Sequence, residues 1–77
     1  MVLSVHHPRY LALREHLKAL RLKSELTQSE IAARLKLDQS YVSKIERGER
    51  YVDVLFYIDW CKACGVKPSK AIPLLDK

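Results

Sequence analysis

Glycine and proline are scarce: the 77 residues hold two glycines and three prolines. A chain so short of turn formers has little length in loops and reads as mostly helical. Long apolar runs are missing as well. None approaches the ~20 residues of a membrane span, so no transmembrane segment is expected. Met1-Val2-Leu3-Ser4-Val5-His6-His7 lacks the cationic start and long apolar core of a secretory signal. With two cysteines and no signal, a reducing, cytoplasmic setting is expected. No Ser-His-Asp set, phosphate loop or paired carboxylates stand out. Asp53 and Asp59 read as a helix cap and a surface charge, so an enzyme is not expected. Acidic residues fall short of basic ones, nine against fourteen, leaving a formal net charge of +5. That excess favours a polyanionic partner, nucleic acid or an acidic membrane surface, but alone it fits plain solubility equally well.

What is present fits one small soluble domain spanning residues 1–77, with 48% hydrophobic and 30% charged residues. Residues 1–7 show no period and are expected to form a flexible arm. Pro8 suits the first turn of a helix. Tyr10, Leu13, Leu17 and Leu20 recur at helical spacing, which predicts a first helix from about Pro8 to Leu22. Arg9, Arg14, Lys18 and Lys23 are expected to solvate its outer side, with His16 also outward and titrating in solvent.

The centre of the chain, residues 27–47, reads as two short helices joined by a tight turn. Thr27 and Glu30 form a capping box, and Ile31, Ala32 and Leu35 share a face. Lys36-Leu37 is the turn, and Asp38 caps the second helix. Val42 and Ile45 give that helix an apolar edge. Its other edge carries Gln39, Ser40, Ser43, Lys44 and Arg47, groups that a helix seated in a DNA major groove uses. Gly48 suits a left-handed helix end. Asp53 caps a fourth helix, Val54 to Cys64, which Gly65 ends. Its predicted core face is Val54, Tyr57, Ile58, Cys61 and Cys64. Leu55, Phe56 and Trp60 are apolar too, and a helix apolar almost all round is buried on more than one side. A second copy of the chain is the expected cover, with Leu55, Phe56, Trp60, Ile72 and Leu75 at the interface of a homodimer. A last short helix starts at Lys67-Pro68, limited or kinked by Pro73.

Cys61 and Cys64 form a Cys-x-x-Cys on the inner side of a predicted helix. Zinc needs two further ligands, and nothing places His6 or His7 near them, so no metal or other cofactor is expected. They read as two small buried thiols.

Leu20-Arg21, Leu26-Thr27-Gln28, Glu30-Ile31-Ala32, Leu35, Val42-Ser43, Ile45-Glu46-Arg47-Gly48-Glu49-Arg50 and Cys64-Gly65-Val66 carry a resemblance to the lambda-repressor-like family, also called Cro-type or XRE-type helix-turn-helix proteins. The resemblance implies an all-α fold of five compact helices with a central helix-turn-helix. It implies that Gln39 and Ser40 read base edges, with Lys44 a turn further along and Tyr41 and Ser43 at the border. It implies phosphate contacts from Gln28, Arg47 and Arg50, and a Gln28 that braces Gln39. Arg21 would pair with Glu46 and lie near a phosphate. The family usually has Gly at the positions of Glu25 and Lys36, where the chain often turns left-handed, at ~1 kcal/mol for other residues.

The function these features point to is a sequence-specific regulator of transcription. It would bind double-stranded DNA, as a small bacterial or phage repressor dimerised through residues 53–75. The alternative is an antitoxin or adaptor that grips a protein partner, a toxin or another protein, with Leu55, Phe56 and Trp60. A non-specific nucleoid or membrane-surface binder is a third reading.

Overall fold

Helix α1, Pro8–Lys23, starts where proline removes an amide that would have no intrahelical acceptor. His7 caps it: Nδ1 accepts from the Arg9 amide at 3.1 Å. The computed structural model describes residues 6–75; most of the expected N-terminal arm lies outside them. Four further helices follow: α2 Gln28–Leu35, α3 Gln39–Arg47, α4 Val54–Ala63 and α5 Pro68–Leu75. No strand occurs among the described residues.

Local chemistry sets the boundaries. The capping box forms in both directions: Glu30 N–H donates to Thr27 Oγ1 at 3.0 Å, and Thr27 N–H to Glu30 Oε1 at 2.9 Å. Those bonds hold the Glu30 carboxyl below the usual carboxylate range. Asp38 occupies the N-cap of α3 but makes no side-chain capping bond. Asp53 does cap α4, accepting from the Phe56 amide at 2.8 Å. Glu25 and Lys36 both adopt left-handed backbone, at φ 60° and 58°. Gly48, at φ 81°, ends α3. A Cβ there would meet the flexible end of the Arg14 side chain, which would have to shift; the left-handed backbone is what favours glycine.

The core gathers Leu17, Leu20, Leu26, Ile31, Ala32, Val42, Ile45, Tyr57, Trp60, Cys61, Cys64 and Ala71. Trp60 is 0% exposed, and its indole N–H donates to the Leu17 carbonyl at 3.0 Å. Trp60 therefore fills the protein's own core and is unavailable to a dimer interface. Phe56 is half-buried against Tyr41 and Trp60. The phase of α4 differs from expectation for a clear reason. Its inner stripe is Tyr57, Trp60, Cys61 and Cys64, toward the end that packs. Val54 continues that stripe by spacing, yet is 74% exposed: Phe56 and Tyr57 of the same turn pack inward, while the first residue of the helix is left uncovered.

Two residues of α1 are also corrected. His16 is buried, not solvated: Nε2 lies 2.7 Å from the Tyr57 hydroxyl and the rings stack. It neighbours Leu17 and Leu20 on the helix, and α4 and α5 cover that edge. Burial pushes its pKa down and that of Tyr57 up. Arg14 turns inward, and its guanidinium donates to the Arg47 carbonyl at the end of α3. Its Nε is enclosed without a hydrogen-bond partner.

Candidate nucleic-acid interface

Helix α3 presents two edges of opposite character. Val42 and Ile45 are fully buried and fasten it to the core. Gln39 and Ser40 are exposed, and Tyr41, Ser43 and Lys44 are half-buried along the same outer side. Arg47 and Arg50 follow, both exposed, where the chain leaves the helix. The residues expected to read bases and hold phosphates thus fall on one continuous surface, with Arg21 the exception.

That surface is tied to the core by a chain of side-chain hydrogen bonds. Gln39 Nε2 donates to Gln28 Oε1 at 2.6 Å, and Gln28 Nε2 donates to Glu46 Oε1 at 3.1 Å. Arg21 then clamps Glu46 with two bonds, Nε to Oε2 at 2.7 Å and Nη2 to Oε1 at 2.9 Å. Its third arm, Nη1, donates to the Leu26 carbonyl at 2.9 Å. The two charged side chains are 8% and 5% exposed, so water screens the pair little. The hydrogen bond to Glu46 raises the Arg21 pKa further, against the effect of burial. In this arrangement Arg21 is committed inward on all three nitrogens and is only 7% exposed. Its geometric effect is to hold Glu46, and through it Gln28 and Gln39.

The relay leaves Gln39 equipped for a base. One amide N–H is used by Gln28, while the other N–H and the carbonyl oxygen remain. An N–H and an oxygen side by side are what bidentate recognition of adenine requires. The relay also removes rotamer freedom from Gln39 before any ligand arrives, which lowers the entropy lost on binding.

The outgoing cations are arranged more loosely. Arg47 Nε pairs with Glu49 at 2.6 Å, and its Nη1 donates to Ser43 Oγ at 3.0 Å. Both partners of this ion pair are more than half exposed, so a phosphate can replace Glu49 at small cost. Arg50 lies over the Tyr41 ring at 5.6 Å, and Tyr41 leans on Phe56. Arg14 supports the same region from below through the Arg47 carbonyl. Nothing in the sequence flagged Arg14, because donor and acceptor are 33 positions apart.

Other chemistry is not assembled here. Cys61 and Cys64 are buried free thiols, and burial pushes both up in pKa, away from the reactive thiolate. No group of three potential metal ligands occurs among the described residues. Among the described residues no helix is long and apolar enough to cross a membrane. Of the residues expected at a dimer interface, Leu55 is 73% exposed and Ile72 is exposed, while Leu75 is half-buried. Tyr51, Val54 and Leu74 add to the exposed apolar surface.

Comparisons with known proteins agree with this geometry. The sequence model of a helix-turn-helix family matches residues 17–70. An XRE-family like protein from Pseudomonas syringae pv. tomato str. DC3000 is 40% identical. It superposes with a TM-score of 0.83, over 94% of this chain and 88% of that one. The restriction-modification controller protein C.Esp1396I is similar in two crystal structures at 26% identity over 84% of this chain. A mutant form gives a TM-score of 0.79 over 87% of its length, and the wild type 0.78 over 84%. No curated protein matches significantly. The match over most of the chain, joined to the exposed edge of α3 and the relay behind it, shows that this protein belongs to the XRE-type family of helix-turn-helix DNA-binding regulators.

Proposed function

We propose that the protein regulates transcription by binding a specific double-stranded DNA sequence in the cytoplasm, as a homodimer on a two-fold operator. The observation that carries this reading is the relay from Gln39 through Gln28 and Glu46 to Arg21, which holds a bidentate side chain rigidly at the exposed start of α3. Gln39, Ser40 and Lys44 read base edges in the major groove, with Ser43 and Tyr41 beside them. Gln28, Arg47 and Arg50 take phosphates and set the register. The net charge of +5 adds attraction that does not depend on sequence. Likeness to a restriction-modification controller protein supports a regulatory role, with repression by promoter occupancy as the simplest mechanism.

Homodimerisation is supported by the exposed apolar side chains of Tyr51, Val54 and Leu55 at the start of α4 and of Ile72 and Leu74 on α5. A two-fold dimer sets its two recognition helices about one DNA turn, ~34 Å, apart. The same apolar surface also fits the second reading, a toxin or other protein as partner.

Selection from random duplexes, followed by a salt titration on the winner, tests the proposal. The selected site should be palindromic and bind at least ~10³-fold more tightly than random DNA, with affinity falling steeply as salt rises. Equal affinity for scrambled duplexes would refute specific recognition. Sedimentation as a monomer at tens of micromolar, with and without the site, would refute the dimer.

A further inference from the structure

A cleft of about 390 Å³ opens between α1 and the end of α5, away from the residues assigned to DNA. Its α1 wall is a single helical stripe that includes Ala12, Ala19 and Leu20. The two alanines present only methyl groups where a larger side chain would close the gap. Leu74 and Leu75 reach over from α5, a short helix of which Ala71 is the buried anchor. The wall is therefore largely apolar, and the volume lies within the ~300–1,000 Å³ common for small-molecule sites.

Three polar groups interrupt it, each in a different place. His16 lines the cleft with its ring stacked on Tyr57 and its Nε2 held by the Tyr57 hydroxyl. Lys23 lies at one end of the stripe and Glu15 one turn inside the other, where Ala12 continues the wall; the two are eight residues, about 12 Å, apart along the helix. Neither makes an ion pair with another described residue. The cleft thus has an apolar length with a cation at one end and a carboxylate toward the other.

We infer that this cleft binds a small amphipathic carboxylate, its apolar body against Leu20, Leu74, Leu75 and the alanine methyls and its carboxylate on Lys23. Glu15 sets the direction, because it repels a carboxylate placed at its own end. A dianion with charges at both ends is disfavoured for the same reason. The inference does not rest on the DNA-binding reading; it follows from the shape and charge of the other face.

Titration of the full chain with octanoate, followed by amide NMR, tests it. Saturable binding of one octanoate per chain is expected, half-complete at or below ~1 mM. The shifted amide signals should belong to α1 and α5, including that of His16. Ala19 is exposed, so Ala19→Leu should fold normally, fill the cleft and weaken binding at least ~10-fold. Lys23→Gln should weaken octanoate but leave the uncharged analogue octanol unaffected. Three results would overturn the inference. The first is shifts centred on Val54 and Leu55, which would mark general apolar adsorption. The second is equal affinity in Ala19→Leu. The third is cleft signals that move with protein concentration before octanoate is added, which would give the cleft to a second copy.

Discussion

Removing the positive half of the Arg21–Glu46 pair tests how much of the fold and of the reading head depends on it. Arg21→Met keeps most of the apolar stem and deletes the guanidinium. Three hydrogen bonds disappear, two to Glu46 and one to the Leu26 carbonyl. The Glu46 side chain, 5% exposed, keeps Gln28 as its remaining hydrogen-bond partner. Breaking a buried pair from one side costs ~3–5 kcal/mol, because the other charge stays behind without compensation. At ~0.05–0.15 kcal/mol per residue, a domain of this size has roughly 4–12 kcal/mol in total. The variant should therefore lose a large part of its stability, and its urea midpoint by circular dichroism should fall by about half. Arg21→Met combined with Glu46→Leu removes the stranded carboxylate as well, and should recover most of that loss. A double-mutant cycle should give a coupling of at least ~2 kcal/mol. If the two changes simply add, within ~0.5 kcal/mol, the pair is not a structural unit and the reasoning fails. The double variant has a second consequence. Gln28 loses its tether, so the base preference at the Gln39 position should relax even though the protein folds.

The reading head should divide by mutation into readers and anchors. Gln39→Ala and Lys44→Ala should each cost ~1–3 kcal/mol on the selected site and blur one or two base pairs, whereas Arg47→Ala and Arg50→Ala should weaken all duplexes and flatten the salt slope by about one each. An altered sequence preference in Arg47→Ala with none in Gln39→Ala would show that the register is wrong. His16 makes stability depend on pH. Its folded pKa lies below 6.5, so the unfolded chain binds the extra proton between the two values. Stability should be full above 6.5, fall as pH drops through that value, and level off below the folded pKa. His16→Gln should flatten the curve of urea midpoints, and a flat wild-type curve would contradict the buried, neutral ring. Gly48→Ala should destabilise by ~1 kcal/mol in thermal melts, the cost of left-handed backbone for a residue with a Cβ, while the flexible end of Arg14 shifts to admit the new methyl. Lys36→Gly should do the reverse and stabilise by up to ~1 kcal/mol, a gain of several degrees in Tm.

Whatever depends on neighbours a few positions apart was legible in the sequence. The Thr27–Glu30 box, the Asp53 cap, Pro8 at a helix start and Gly48 at a helix end are local chemistry, and all lie where spacing predicts. Val42 and Ile45 were legible for the same reason, since helical period alone gives α3 an inner edge. Arg21 with Glu46, and Gln28 with Gln39, were expected only through the family resemblance; no period in the chain points to either pair. Tertiary structure decided the rest. Periodicity gives the phase of one helix but not which neighbour covers each edge or each turn. Hence Val54 is bare and Trp60 buried on the same helix, so Trp60 is not open to the interface expected there. Hence also His16 meets Tyr57 from 41 positions away, and Arg14 reaches the end of α3 from 33. Arg21 faces inward because the carboxylate and carbonyl that bind all three of its nitrogens come together only when α1, α3 and the turn at Leu26 are packed.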